Sequence, residues 1–504
     1  MSTIKTSTPQ ILSTSAESNL ARSAPIQLQQ HPISSSSFGL RKKSWVEFVP
    51  RSSLFDSQNH LLNHDPFRGF YSLFWILLAF HILSTLYSSG SLCIQMNFAK
   101  LFLKHLNQLI IVDLCLIGST FFALGFAKLL SKGFFKSSFF RQTIQHSFQS
   151  LWLGFWIYFI YTRQWPWVQS GFLTLHSLTM LMKMHSYCAT NGEFFEQFQT
   201  LICKLNKFDQ SFQQLNLQYE PFVATQLFQI QQNLYKILAT KSQNHPNQHL
   251  PVIQEILELL DDLGVKDDKT KHWPQNLTFD NFVDYLLVPT LVYELKYPRT
   301  KKIRYAYVVE KVLATAGAFG LVYVIIQYYV WNQISSIGQN EPSLFGMILR
   351  LVVPFSMNYL LIFYIIFECI CNGFAELTRF ADREFYSDWW NSVSFDEFSR
   401  KWNKPVHNFL LKHVYASTIT TYGLSRHRAG LVTLILSSLV HELLMAMVMR
   451  KLRWYLFLAQ MTQVPLTIVG KSKFFIDRPK LGNAFFWIGL LSGFPFLGVC
   501  YILY

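Results

Sequence analysis

The chain has 504 residues, of which 50% are hydrophobic, 16% aromatic and only 14% charged. Ordinary soluble domains carry about 25% charged residues, so this composition argues against a water-soluble protein and indicates a surface largely in contact with lipid. The formal net charge of +15 is divided among segments between apolar runs, which argues against nucleic-acid binding and favours anionic lipid headgroups and a phosphate-bearing substrate as partners.

The chain is predicted to begin with a disordered cytoplasmic tail over residues 1–65, because its first 40 residues are rich in Ser, Thr and Gln. Residues 66–504 are predicted to form one all-α, polytopic membrane domain. Apolar runs long enough to cross a bilayer predict about nine transmembrane helices. They lie at 70–90, 106–130, 149–163, 166–187, 309–331, 345–372, 430–449, 454–469 and 484–504. The third and eighth runs are short, which favours tilted, broken or merged helices.

Basic residues are concentrated in connecting segments that fall on one side of the membrane if the N-terminus is cytoplasmic. The opposite loop, 332–342, contains no Lys or Arg, and the C-terminus is then lumenal. One short loop with Arg450, Lys451 and Arg453 disagrees. The long segment 190–305 is predicted to be cytoplasmic or interfacial, with amphipathic helices.

The seven cysteines form no CxxC pair, and the pair Cys369 and Cys371 has no histidine nearby. We therefore expect neither a zinc site nor a disulfide framework. Within the predicted spans, His441 stands out because an ionisable residue in an apolar span is costly. Ser437 shares its helical face, whereas Glu442 points about 100° away. The alternative is a structural histidine bonded to a neighbouring helix.

The loop 373–429 contains the aromatic sequence FYSDWWN at 385–391. Ser394 and Glu397 have the spacing of a helix-capping box, and an apolar stripe of Phe395, Phe398 and Trp402 predicts an amphipathic helix at the membrane interface. The plainer interpretation of Trp389, Trp390 and Trp402 is anchoring at the lipid headgroups. Asn403 could hydrogen-bond an oxyanion, and basic residues of this loop could either meet phosphates or form a solvated face.

The segments RFADREFYSDWWN, RKWNKPVHNFLLKHVY and SSLVHEL resemble the membrane-bound O-acyltransferase superfamily. Within it they resemble the sterol O-acyltransferase branch, which also contains the type-1 diacylglycerol acyltransferases, and most of all the fungal sterol enzymes. A second block, at 282–308, agrees. The resemblance covers residues 280–504 well and the earlier spans loosely.

The resemblance implies that His441 and Asn403 are catalytic and that His441 is buried. It further implies a substrate site containing Tyr386, Asp388, Trp389, Trp390, Asn391, Arg400, Trp402, Tyr415, Arg426, Ser437 and Glu442. Acyl-CoA is then the co-substrate, with no metal or other cofactor, and a membrane sterol, expected to be ergosterol, is the acceptor. It also implies an endoplasmic-reticulum membrane enzyme and a homodimer or dimer of dimers. The alternatives are a diacylglycerol acyltransferase, and a lipid transporter, channel or non-catalytic lipid-binding protein.

Overall fold

The structure, a computed structural model, describes residues 46–56, 103–135, 137–208, 250–264, 272–331 and 344–503, with positions 227, 230–232, 234 and 333 between them. Within these residues the regular structure is helical, and the β-bridges are isolated pairs, Arg51 with Asp382 and Arg299 with Phe380. The predicted all-α class is therefore confirmed.

The α-helices in the described ranges follow in chain order. They are α1 Leu106–Ser119, α2 Phe122–Ser131, α3 Ser138–Arg163, α4 Trp167–Phe208, α5 Leu250–Asp262, α6 Phe279–Leu287, α7 Tyr305–Ile325, α8 Leu344–Phe363, α9 Cys371–Leu377, α10 Phe395–Trp402, α11 Lys404–Phe409, α12 Ser417–Tyr422, α13 Arg426–Met449, α14 Tyr455–Met461, α15 Gln463–Gly470, α16 Lys473–Ile476 and α17 Pro479–Leu503. Three π-helical stretches extend or join these helices. They are Ile326–Val330 after α7, Tyr364–Ile370 between α8 and α9, and Leu410–Ala416 between α11 and α12.

Five helical stretches of the described chain are long and apolar enough to cross a membrane. They are Leu106–Ser131, Tyr305–Val330, Gly346–Leu377, Arg426–Met449 and Pro479–Tyr501. These match the predicted spans that begin at 106, 309, 345, 430 and 484. The first predicted span, 70–90, lies outside the described residues, so the count of nine stays a prediction.

The other three predicted spans within the described residues differ in the structure. Helix α3 begins at Ser138, well before the predicted start at 149, and α4 runs for 42 residues, which joins the predicted span 166–187 to the amphipathic stretch after it. The eighth run is broken into α14 and α15. Pro465 explains the break, because its ring cannot pass the carbonyl of Met461 in a continuous helix.

The basic loop that disagreed with the charge rule binds helix ends. The Arg450 guanidinium donates to the carbonyl of Trp165, just beyond the end of α3, at 3.3 Å. The Arg453 guanidinium donates to the carbonyl of Tyr501, in the last turn of α17. Cations are stabilised by the exposed carbonyls of helix C-termini. The C-terminal ends of α3, α13 and α17 therefore meet on one side of the protein.

Part of the predicted tail is integral to the fold. Residues 46–56 lie against residues 379–385, with Val46, Ser53 and Asp56 buried. The prediction of a disordered tail over 1–65 is therefore wrong for this part, while residues 1–45 and 57–65 lie outside the described chain. The segment is held by Phe48 and Leu54, which pack against the hydrophobic core around Phe380 and Phe385, and by Arg51 and Asp56, which pair with charges of the membrane domain.

Candidate active site

His441 lies in the middle of α13 with its side chain exposed, although the resemblance implied a buried histidine. Its Nδ1 atom is 2.7 Å from the backbone carbonyl of Ser437, one helical turn earlier. A carbonyl oxygen only accepts hydrogen bonds, so Nδ1 carries the proton of the neutral imidazole. The Nε2 lone pair is then available to accept a proton, which is the arrangement that a general base requires.

Glu442, the next residue, is buried and saturated with hydrogen bonds. Its Oε1 accepts from the backbone N–H groups of Arg453 at 3.3 Å and Trp454 at 2.7 Å. Its Oε2 accepts from the N–H of Phe457 at 3.1 Å and the hydroxyl of Tyr501 at 3.0 Å. A carboxylate has about four acceptor sites, so these bonds fill it. Glu442 thus caps the start of α14, and a contact of this residue with substrate stays a prediction.

Asn403 also serves as a helix cap. Its Oδ1 accepts from the backbone N–H of Val406 at 3.1 Å, at the start of α11. From there, one helix runs through the π-helical stretch to Tyr422, and that stretch packs against α13, the helix of His441. Within the described chain, Asn403 and His441 bond different local partners and share no hydrogen bond. Their cooperation in catalysis therefore stays a prediction.

The tryptophans of the FYSDWWN segment build a protein core. Trp389 is 1% exposed, and its ring lies edge-on to Trp402 at a centroid distance of 4.8 Å. Trp402 stacks on Tyr359 of α8 at 4.6 Å with nearly parallel planes. The apolar stripe of α10 points into this aromatic cluster and to α17, where Phe395 contacts Phe486. Anchoring at lipid headgroups is therefore wrong for Trp389 and for this stripe, because protein aromatics cover them.

Trp390 and Asn391 lie at the edge of this cluster. The Trp390 carbonyl accepts from the indole N–H of Trp487 at 3.1 Å and the amide of Asn483 at 2.9 Å, both on α17. The exposed Asn391 amide is 3.5 Å from the Asp388 carboxylate. The segment 385–391 is thus fixed to α17 through the Trp390 carbonyl, and the side chains of Asp388 and Asn391 stay accessible.

The predicted capping box forms with a shift of one residue. Ser394 Oγ accepts from the N–H of Glu397 at 3.3 Å, as expected. The Glu397 carboxylate, however, accepts from the N–H of Val393 at 2.9 Å instead of that of Ser394. This closes the turn between the aromatic segment and α10.

Two cations of α10 are paired with acids. Lys401 bonds the Asp388 carboxylate at 3.0 Å and that of Glu397 at 2.7 Å. Burial lowers the pKa of Lys401, but these two partners outweigh it and leave the pKa raised. Arg400, which is half-exposed, pairs with Asp396 at 3.0 Å. A phosphate binding here would have to compete with these carboxylates.

Other predicted substrate residues are spread along α13 and the helix before it. Arg426 is exposed in the first turn of α13, Ser437 lies one turn before His441, and Tyr415 is in the π-helical stretch that packs on α13. The structure thus forms two groups, one around residues 385–402 and one along α13. Binding of acyl-CoA by either group stays a prediction.

Two buried polar clusters were not foreseen. In the first, the Glu368 carboxylate accepts from Lys311 Nζ at 2.9 Å, and both side chains are fully buried. Lys311 lies inside the predicted span 309–331, so a charge in an apolar run was the available signal. In the second, Ser186 Oγ is 2.7 Å from His413 Nε2. Nothing in the spacing of Ser186 and His413 predicted that contact, because they are 227 positions apart.

Comparison with known proteins places these residues in context. The family described as MBOAT, membrane-bound O-acyltransferase, matches residues 67–503. The chain is 32% identical to Sterol O-acyltransferase 2 of Candida albicans over 488 residues, covering 91% of this chain and 78% of that protein. It is 32% identical to Probable sterol O-acyltransferase 1 of Schizosaccharomyces pombe, covering 91% of this chain and 86% of that protein. A shorter match, 33% identical over 46% of this chain and 38% of the relative, is to Diacylglycerol O-acyltransferase 1 of Dictyostelium discoideum.

Proposed function

The chain belongs to the membrane-bound O-acyltransferase family, and from this premise we propose that it transfers a long-chain fatty acyl group from acyl-CoA to the hydroxyl of a membrane sterol. The product is a steryl ester. The sterol acceptor is supported by the relatives named sterol O-acyltransferase, which match 91% of this chain. The match to a diacylglycerol enzyme covers only 46%, which makes diacylglycerol the second candidate acceptor.

The observation that carries the mechanism is the 2.7 Å contact between His441 Nδ1 and the Ser437 carbonyl. With Nδ1–H donated to the Ser437 carbonyl, Nε2 takes the proton of the sterol hydroxyl while the sterol oxygen attacks the thioester carbonyl carbon. The resulting tetrahedral adduct collapses with loss of the CoA sulfur, which recovers the proton from His441. An apolar surrounding excludes water and so suppresses hydrolysis of the thioester.

Asn403 provides the hydrogen-bond donor that stabilises the oxyanion. Because its Oδ1 already accepts the N–H of Val406, the Nδ2–H groups are the part of the amide left to bind a substrate. They can donate to the thioester carbonyl oxygen, where negative charge develops in the transition state. The cap fixes the amide before substrate arrives, so little reorganisation is needed at the moment of reaction.

The remaining assignments follow from the same premise. The chain resides in the endoplasmic-reticulum membrane as a homodimer or dimer of dimers, with its N-terminus cytoplasmic and its C-terminus lumenal. Ergosterol is the expected sterol. Transfer needs no metal, because a thioester is already activated toward attack by a hydroxyl.

The test uses microsomes from cells that lack their own neutral-lipid acyltransferases. Wild type, His441→Ala and a matched control, His427→Ala, are supplied with labelled oleoyl-CoA, ergosterol and diacylglycerol together. His427 is an exposed histidine near the start of the same helix. We expect labelled steryl ester from wild type and His427→Ala, and a loss of about 10²–10⁴-fold in His441→Ala, the range for loss of a general base.

Each other outcome corrects a different part of the proposal. Label in triacylglycerol would replace the acceptor and keep the mechanism. Full activity in a folded His441→Ala protein would remove His441 as the base. No labelled product from a folded wild-type chain would overturn acyl transfer from acyl-CoA to either acceptor.

A further inference from the structure

The Glu368 carboxylate joins three distant parts of the chain. It lies in the π-helical stretch after α8 and is fully buried. Its Oε1 accepts from Lys311 Nζ of α7 at 2.9 Å. Its Oε2 accepts from two hydroxyls, Ser53 Oγ at 2.6 Å and the Tyr386 OH at 3.0 Å. Tyr386 is the second residue of the FYSDWWN segment, so Ser53 and this segment share one oxygen atom.

The segment that carries Ser53 is fixed on both sides of this contact. The Arg51 backbone bonds that of Ala381 and Arg383, with N–O distances of 2.9 Å. The Arg51 guanidinium donates to both carboxylate oxygens of Asp382, at 2.9 and 2.8 Å. Residues 46–56 therefore lie as a strap across the chain that leads into Tyr386.

A second set of buried charges anchors the end of the strap. Asp56 accepts from both terminal nitrogens of Arg304, at 3.0 and 2.7 Å. Arg304 and Arg383 both bond Glu376, the latter in a contact between fully buried side chains. Arg304 also lies over the ring of Tyr307 at 4.3 Å. Buried charges that are paired in this way resist displacement, because separating them leaves an uncompensated charge.

We propose that Ser53 and Glu368 are positioning residues of the acyl-CoA site, which hold the FYSDWWN segment in its binding geometry through the Tyr386 hydroxyl. The inference rests on the proposed acyl-CoA-dependent transfer. Neither side chain needs to touch the substrate. They act by keeping most molecules in the arrangement that binds acyl-CoA, since the apparent dissociation constant rises as the competent fraction falls.

The experiment measures KM for oleoyl-CoA and kcat at saturating sterol for Ser53→Ala, Tyr386→Phe and the double variant. Ser52→Ala is the matched control, because Ser52 is the exposed neighbour in the same strap. Folded protein is quantified for every variant by size-exclusion chromatography in detergent. Loss of one hydrogen bond to a charged group is expected to raise KM about fivefold in Ser53→Ala, with kcat within about twofold of wild type.

The double variant tests whether Ser53 and Tyr386 act on KM through the same carboxylate. Ser53 and Tyr386 bond the same oxygen, so the two effects on KM should be clearly less than multiplicative. A wild-type KM in folded Ser53→Ala, or multiplicative effects in the double variant, would overturn the inference. A wild-type chain that uses no acyl-CoA would instead refute the proposed function, and a diacylglycerol acceptor would leave the KM test unchanged.

Discussion

Replacing Glu442 by Gln should destabilise the protein, because an NH2 group takes the place of one of the two acceptor oxygens of the carboxylate. The carboxylate receives four donors through its two oxygens, three of them backbone N–H groups around the start of α14. Glutamine keeps one oxygen, so two of these donors then face an NH2 group. A buried donor without an acceptor costs about 1–3 kcal/mol, which gives a loss of about 2–6 kcal/mol in the free energy of unfolding.

A second variant changes one partner of the Glu442 carboxylate, and its loss of stability can be compared with that of Glu442→Gln. Tyr501→Phe removes the hydroxyl bond to Glu442, 3.0 Å long, together with the bond that the same hydroxyl accepts from the N–H of Leu456 at 3.1 Å, and it leaves the three backbone donors of Glu442 satisfied. The bond to the carboxylate contributes about 1.5–3 kcal/mol and the Leu456 N–H that loses its acceptor costs about 1–3 kcal/mol, so this variant should lose about as much stability as Glu442→Gln. The control Glu258→Gln removes the same charge at an exposed position of α5 and should change the stability little.

The assay is thermal unfolding of the detergent-solubilised protein, with steryl ester synthesis measured on the folded fraction of each variant. We expect the control to be about as stable as the wild type, and both Tyr501→Phe and Glu442→Gln to be clearly less stable. If Glu442→Gln were as stable as the wild type but inactive, the reasoning from the cap would be refuted, and the carboxylate would belong to the chemistry.

Three further predictions follow from other contacts. Asn403→Ala should lose about 1 kcal/mol of stability with the cap, whereas Asn403→Asp keeps the cap; both should lose transfer if the amide donor acts on the oxyanion. Burial, then the charges of neighbouring groups, holds the pKa of His413 well below its usual 6.5. The unfolded chain therefore takes up that proton first, so stability should fall as the pH drops below 6.5, and His413→Gln should flatten the fall in pH-dependent unfolding. Gly489→Ala places a Cβ 2.8 Å from the Phe395 ring and should cost about 1–3 kcal/mol in thermal unfolding, whereas Gly493→Ala meets no atom within 4 Å and should be neutral or stabilising.

Sequence patterns were reliable where one physical property acts along the chain. Five of the predicted spans coincide with long apolar helices, because bilayer thickness sets a length that local hydropathy reports. The helix of residues 250–262 and the Ser394 cap followed from periodicity and capping chemistry, which are equally local. The quoted motifs also sufficed to indicate the family that the comparisons later supported.

Tertiary structure decided what each polar or aromatic side chain faces. An apolar stripe on α10 is compatible with either lipid or protein, and only the positions of α8 and α17 show that protein covers it. Ser53 has no local pattern that predicts burial, and Glu368, from 315 positions away, makes it part of the core. From the sequence, Glu442 is an acid next to a candidate catalytic histidine; only the fold shows that its oxygens accept from backbone N–H groups at 453–457. The physical reason is that hydropathy and helix periodicity are properties of neighbouring residues, whereas the partner of a buried charge is fixed only when distant segments pack together.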